Sequence, residues 1–266
     1  MYHAKNKYIV INNNKMHYLT FGTGNKWLIL IPGLSLQRFK GKSQEMSFFY
    51  RQFAKDYQVL MFDRKDSIEK DYSIEDMADE LYQALNKLEI KKADIVGISQ
   101  GGMIAQILAI KYSSFVNKLV LAMTLARNNK ISQKTIGNWI RLAESKNISL
   151  LSYNSLIKSY SSQYVDKHKF IIKVISKILK GRNLARFIIL AKAILDFDCY
   201  DSLNQIFCPT LVIGAENDQV LGVQGARELS KKIPNATYFE FENVGHAAYF
   251  EVKEFNQTIL NYLITK

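Results

Sequence analysis

The feature that most constrains this chain is an alternation of short, apolar strand-like runs with segments of helical periodicity. Trp27-Leu28-Ile29-Leu30-Ile31 shows no apolar–polar alternation, so a strand built from it has no face left for water. Strands of that kind belong to parallel sheets covered by helices on both sides. Tyr8–Ile11, Met16–Phe21, Trp27–Ile31, Val59–Phe62, Ala93–Ile98 and Lys118–Met123 read as strands. Ile74–Leu88 reads as an amphipathic helix with Ile74, Met77, Ala78, Leu81, Leu85 and Leu88 on one face, and Gln100–Lys111 as a second helix. The fold class expected is therefore α/β.

Between Thr124 and Ile206 the rhythm changes to four helical patterns without a strand: Ser132–Ser145, Ser149–Tyr160, Val165–Lys180 and Leu184–Phe197. Alternation returns with Pro209–Gly214, a helix at Gly225–Lys232, the strand Ala236–Phe241 and a helix at Val252–Leu263. The helical stretch reads as an insertion between two strands of one sheet. The expected division is a core of residues 1–124 and 206–266 with an all-helical cap at 125–205.

The net charge is +12, yet residues 126–200 hold fourteen Lys and Arg against four Asp and Glu, and the remainder is nearly balanced. In the third cap pattern Phe170, Ile171, Val174, Ile175 and Ile178 form an apolar stripe. Lys169, Lys173, Lys177 and Lys180 lie opposite and read as a solvated face. Nucleic acid is not an expected partner, since charge alone suggests it. No apolar run reaches the roughly 18 residues of a membrane span. The opening residues lack the apolar middle of a signal peptide, and Cys199 and Cys208 suggest no disulfide framework, so a cytoplasmic setting is expected. Neither a metal nor a cofactor is expected; Gly22-Thr23-Gly24 is too short to cradle a phosphate.

Gly97-Ile98-Ser99-Gln100-Gly101 lies between a strand and a helix. A serine at a sharp strand-to-helix turn needs hydrogen in place of side chains two residues away on either side. By itself this spacing recurs by chance. It gains meaning from His246, in the small-residue loop Gly245-His246-Ala247-Ala248 after the last strand, because a serine hydroxyl needs a neighbouring base. Asp218, in the loop after the strand ending at Gly214, is the candidate acid to orient that base; Glu216 is a competitor two residues nearer the strand. The loop Thr124-Leu125-Ala126-Arg127 offers no carboxylate.

The order Ser99, Asp218, His246, the elbow at 97–101 and the inserted helices resemble the α/β-hydrolase fold in its cap-bearing branch, over nearly the whole chain. The resemblance implies a serine hydrolase acting on a small carboxylic ester or lactone through an acyl-enzyme. Small carboxylesterases and enol-lactone hydrolases have similar elbows. It also implies an oxyanion site from the backbone N–H groups of Leu34, after Pro32-Gly33, and Gln100. The family often carries glycines after Asp-x-Arg or Asp-Arg, where this chain has Asp63-Arg64-Lys65-Asp66-Ser67; no chemical role is expected for Asp63 or Arg64. Trp139, Ile140, Phe187 and Ile188 either line an acyl pocket or pack helix on helix. Arg141, Arg182 or Arg186 would receive a carboxylate if the substrate is anionic. A carbon–carbon bond hydrolase or lyase, and a ligand-binding signalling protein on this fold, are the alternatives.

Overall fold

The computed structural model describes residues 2–178 and 183–265. Its centre is an eight-stranded sheet of β1 (Lys5–Ile11), β2 (Asn14–Phe21), β3 (Lys26–Ile31), β4 (Tyr57–Phe62), β5 (Ala93–Ile98), β6 (Val116–Ala122), β7 (Thr210–Ala215) and β8 (Ala236–Phe241). The spatial order is β1-β2-β4-β3-β5-β6-β7-β8. β1–β2 and β2–β4 pair antiparallel; every pair from β4 onward is parallel. The sheet is thus mostly parallel, as the apolar runs require.

Each central strand feeds two cores. On β5, Ala93 and Ile95 join one apolar cluster while Val96 and Ile98 join the other; on β6, Leu119 and Leu121 face one side and Val120 and Ala122 the other. This is the two-residue period of a strand with both faces buried. Helices α2 (Ile74–Lys87), α3 (Gln100–Lys111) and α9 (Val223–Lys232) cover the first face. The second is covered by α1 (Ser43–Phe49) and α11 (Phe255–Ile264), with the short α10 (Ala248–Glu251) beside them. α2 starts at a capping box in which Ser73 and Asp76 satisfy each other's backbone N–H groups.

Between β6 and β7 the chain makes a helical excursion: α4 (Lys130–Glu144), α5 (Ile148–Ser159), α6 (Ser162–Lys167), α7 (Lys169–Ile178) and α8 (Leu184–Leu195). Two of its features differ from expectation. The single helix expected at Val165–Lys180 is two, broken at His168, whose φ of −113° and ψ of 15° leave the helical region. The stripe on α7 also faces outward, since only Ile172 and Ser176 of this helix are buried. Lys180 and Arg182 lie outside the described residues. Where the excursion leaves and rejoins the core, Arg127 and Asp198 form a β-bridge, and the Cys199 N–H donates to the Ala126 carbonyl at 2.9 Å.

No helix among the described residues is long and apolar enough to cross a membrane. Cys199 and Cys208 are free thiols.

Candidate active site

The carboxyl ends of β3, β5, β7 and β8 deliver the candidate residues to one place, where open α/β sheets gather their chemistry. Ser99 follows β5 directly. Its φ of 55° lies in the left-handed region that a side chain-bearing residue rarely enters, and its N–H donates to the Ala122 carbonyl at 2.9 Å. Two glycines permit the turn. A Cβ on Gly97 would lie 2.5 Å from the Gly101 carbonyl oxygen, and one on Gly101 would lie 1.9 Å from that of Ile31. The Thr124 hydroxyl donates to the Ser99 carbonyl at 2.8 Å and holds the turn from the β6 side.

His246 Nε2 lies 2.9 Å from Ser99 Oγ, and His246 Nδ1 lies 2.7 Å from Asp218 Oδ2. The second oxygen of Asp218 accepts the backbone N–H groups of Val220 and Leu221 at 2.8 and 2.9 Å. Burial alone would raise this carboxyl's pKa. The charge and hydrogen bond of His246, with the two backbone donors, outweigh that and hold it below the ordinary aspartate value. Glu216 points elsewhere, being exposed and accepting the Asn243 N–H at 2.8 Å. The loops bearing Asp218 and His246 are joined through Asn217 N–H to the Val244 carbonyl at 2.9 Å.

The His246 loop is also tied to the helical insertion. Ala247 N–H donates to the Ser159 carbonyl at 2.7 Å, and one carboxylate oxygen of Glu251 accepts the N–H groups of both Gly245 and Ser161. Gly33 lies against the serine: a Cβ there would be 3.0 Å from Ser99 Cβ. Among the described residues, the main-chain N–H groups of Leu34 and Gln100 have no hydrogen-bond partner. The Gln100 side chain, fully buried, donates to the Leu190 carbonyl on α8 at 2.6 Å and accepts from Arg64 Nη2 at 3.0 Å.

Beyond Gly33 and Gln100 opens a cavity of about 460 Å³, roofed by Asn183, Arg186, Phe187 and Leu190. Arg38 and Arg64 line it as well, a role the sequence reading missed. Arg64 donates to the Pro32 carbonyl at 2.7 Å, while its Nε is buried without a partner among the described residues. Burial pushes its guanidinium down to about 10, so it stays charged at neutral pH. Arg38 donates to Asp63 and Asp66, and Arg186 to the carbonyls of Arg64 and Lys65. Of the cap residues expected at a pocket, Phe187 lines the cavity. Trp139 and Ile140 are buried in helix packing, with the indole donating to Asn154 at 2.9 Å, and Ile188 packs against the first core. Arg186 lines the cavity, whereas Arg141 lies on the surface and bonds Asn138.

A family model described as the alpha/beta hydrolase fold matches residues 21–252. The chain belongs to this family. An alpha/beta hydrolase enzyme from a Medee basin deep-sea metagenome library superposes with a TM-score of 0.87 at 25% identity, covering 98% of each chain. The enol-lactonase of Burkholderia xenovorans LB400 does so at 0.85 and 21% identity, covering 97% of this chain and 100% of that one. In sequence, the chain is 22% identical over 216 residues to a putative carbamate hydrolase RutD of Pantoea ananatis, covering 78% of each. This α/β hydrolase is therefore an enzyme of the hydrolase class.

Proposed function

We propose that this hydrolase cleaves small carboxylic esters or lactones through Ser99, His246 and Asp218. The observation that carries the reading is the unbroken hydrogen-bonded line from Ser99 Oγ through the imidazole to the Asp218 carboxylate. His246 Nε2 takes the hydroxyl proton as Ser99 Oγ attacks the carbonyl carbon. The developing oxyanion accepts from the N–H groups of Leu34 and Gln100, each such donor contributing about 2.7–4 kcal/mol. His246 then gives its proton to the departing alkoxide, leaving an acyl-serine. Water, deprotonated by His246, releases the acid and restores the serine. Asp218 keeps the proton on Nδ1 and stabilises the imidazolium.

Ser99 is only 8% exposed, so substrate reaches it beneath the insertion. The same proposal divides the chain into a core of 1–124 and 206–266 and a cap of 125–205, supported by α8 roofing the cavity. Arg38, Arg64 and Arg186 outnumber Asp63, the one carboxylate on the cavity among the described residues, and favour a substrate carrying a carboxylate. The enol-lactonases among the relatives are in keeping with a lactone substrate. Free thiols support a cytoplasmic setting.

The test is a panel of short esters, lactones and diketo acids, in anionic and neutral pairs, run on the native chain, Ser99→Ala and Arg64→Met. Sustained turnover lost in Ser99→Ala is the expected result, and native turnover in that variant would refute the reading. A pair of anionic and neutral esters hydrolysed alike by the native chain and by Arg64→Met would remove the carboxylate from it.

A further inference from the structure

Helix α7 is built against the usual economy of a surface helix. At about 100° per residue, Phe170, Ile171, Val174, Ile175 and Ile178 occupy about 140° of its circumference. That arc faces away from the protein, with Phe170 78%, Ile178 69% and Ile171 53% exposed. The helix is held instead by a narrow seam of Ile172 and Ser176, and it packs on α5. Lys169, Lys173 and Lys177 run along one flank of the apolar arc, all exposed. The sequence of α7 contains no acidic residue to offset them.

From this we infer that α7 docks the enzyme on an anionic lipid surface, lying in the plane of the headgroups. A helix with a wide apolar face and a cationic border has the chemistry of an interfacial segment. The apolar side chains enter the acyl boundary, and lysine stems reach back so that their ammonium groups meet lipid phosphates. Ten residues span about 15 Å, half of a bilayer's hydrocarbon core, so α7 lies on the membrane and does not cross it. The excess of ten positive charges over residues 126–200 adds a longer-range attraction of the same sign. A second copy of the chain fits this face less well, because it would bring another acid-free lysine row to the same seam. Broad apolar exposure of this kind on one element marks an interaction site.

The experiment is co-sedimentation of the full chain with vesicles of phosphatidylcholine alone and of phosphatidylcholine mixed with phosphatidylglycerol, at low and high salt. The native chain is expected to sediment with the mixed vesicles, less so at high salt, and weakly with the neutral ones. Changing Lys169, Lys173 and Lys177 to Gln should weaken binding about fivefold for each lysine removed. The double variant F170E/I175E should abolish binding while its thermal melt and its turnover of a soluble ester stay native. The proposal fails if the native chain ignores anionic vesicles or if F170E/I175E binds as the native chain does. It fails equally if sedimentation equilibrium shows a native dimer that F170E/I175E converts to monomer, which would make the face a contact between copies.

Discussion

Replacing Asp218 by asparagine probes the proposed relay while sparing its frame. In the native chain one carboxylate oxygen accepts two backbone N–H groups, from Val220 and Leu221, and the other accepts from His246. An asparagine has only one oxygen to place. Turned toward Val220 and Leu221, it keeps two bonds and presents its NH₂ to the imidazole. Turned toward His246, it sets that NH₂ against two buried donors. Each stranded donor costs about 1–3 kcal/mol and the imidazole keeps one bond either way, so the first orientation is favoured by about 2–6 kcal/mol. His246 Nδ1 must then accept a hydrogen bond, which moves the proton to Nε2. That nitrogen now donates toward Ser99 Oγ and cannot take its proton. The expected result is a fall in kcat of about 10⁴-fold, equivalent to about 5.5 kcal/mol, with a melting temperature close to native. The assay is steady-state hydrolysis of a p-nitrophenyl ester, with active sites counted by titration. A natively folded D218N enzyme within tenfold of native turnover would refute the argument that His246 depends on Asp218 for its tautomer.

Because the Asp218 carboxyl is held below its ordinary pKa of about 3.9, its contribution to stability is complete above that value. That contribution is lost as pH falls through the folded-state pKa, so the gap in urea midpoint between native and D218N should narrow as acid is added below about pH 4. Gln100→Leu removes a buried bond to the Leu190 carbonyl and the acceptor for Arg64, for an expected loss of about 2–4 kcal/mol in urea unfolding. Glu251→Ala strands the buried donors of Gly245 and Ser161 and frees the His246 loop from α5–α6. It should cost about 2–4 kcal/mol and lower kcat more than it changes KM, whereas Glu251→Gln, which keeps one acceptor, should cost less.

The elements around the site could be read in the chain because their physics is local. Residues 93–98 are buried on both faces and apolar but for Asp94, whose carboxylate accepts from Tyr57 and Asn117, and the turn at Ser99 leaves room only for hydrogen at positions 97 and 101. Arg38 and Arg64 left no such trace, because their partners are the carboxylates and carbonyls of distant loops, and nothing beside them in sequence signals burial. The break between α6 and α7 falls at His168 without a glycine or proline to announce it. The α7 stripe shows a further limit: periodicity reveals that a helix has two faces, but not which of them meets the protein. Helix α1 was missed because seven residues give too few turns for a period to register.

The Arg127–Asp198 bridge and the Cys199-to-Ala126 bond bring the two ends of a seventy-odd-residue excursion to adjacent positions at the edge of the core. For the sheet, that excursion is a closed detour within the parallel crossover from β6 to β7. Helices of another number or length can be spliced between those two points without altering the strand order or the path from β5 into α3. The roof over the serine can thereby vary as an exchangeable part, provided that a replacement still meets the His246 loop where Ser159 and Ser161 do and the Gln100 side chain where Leu190 does.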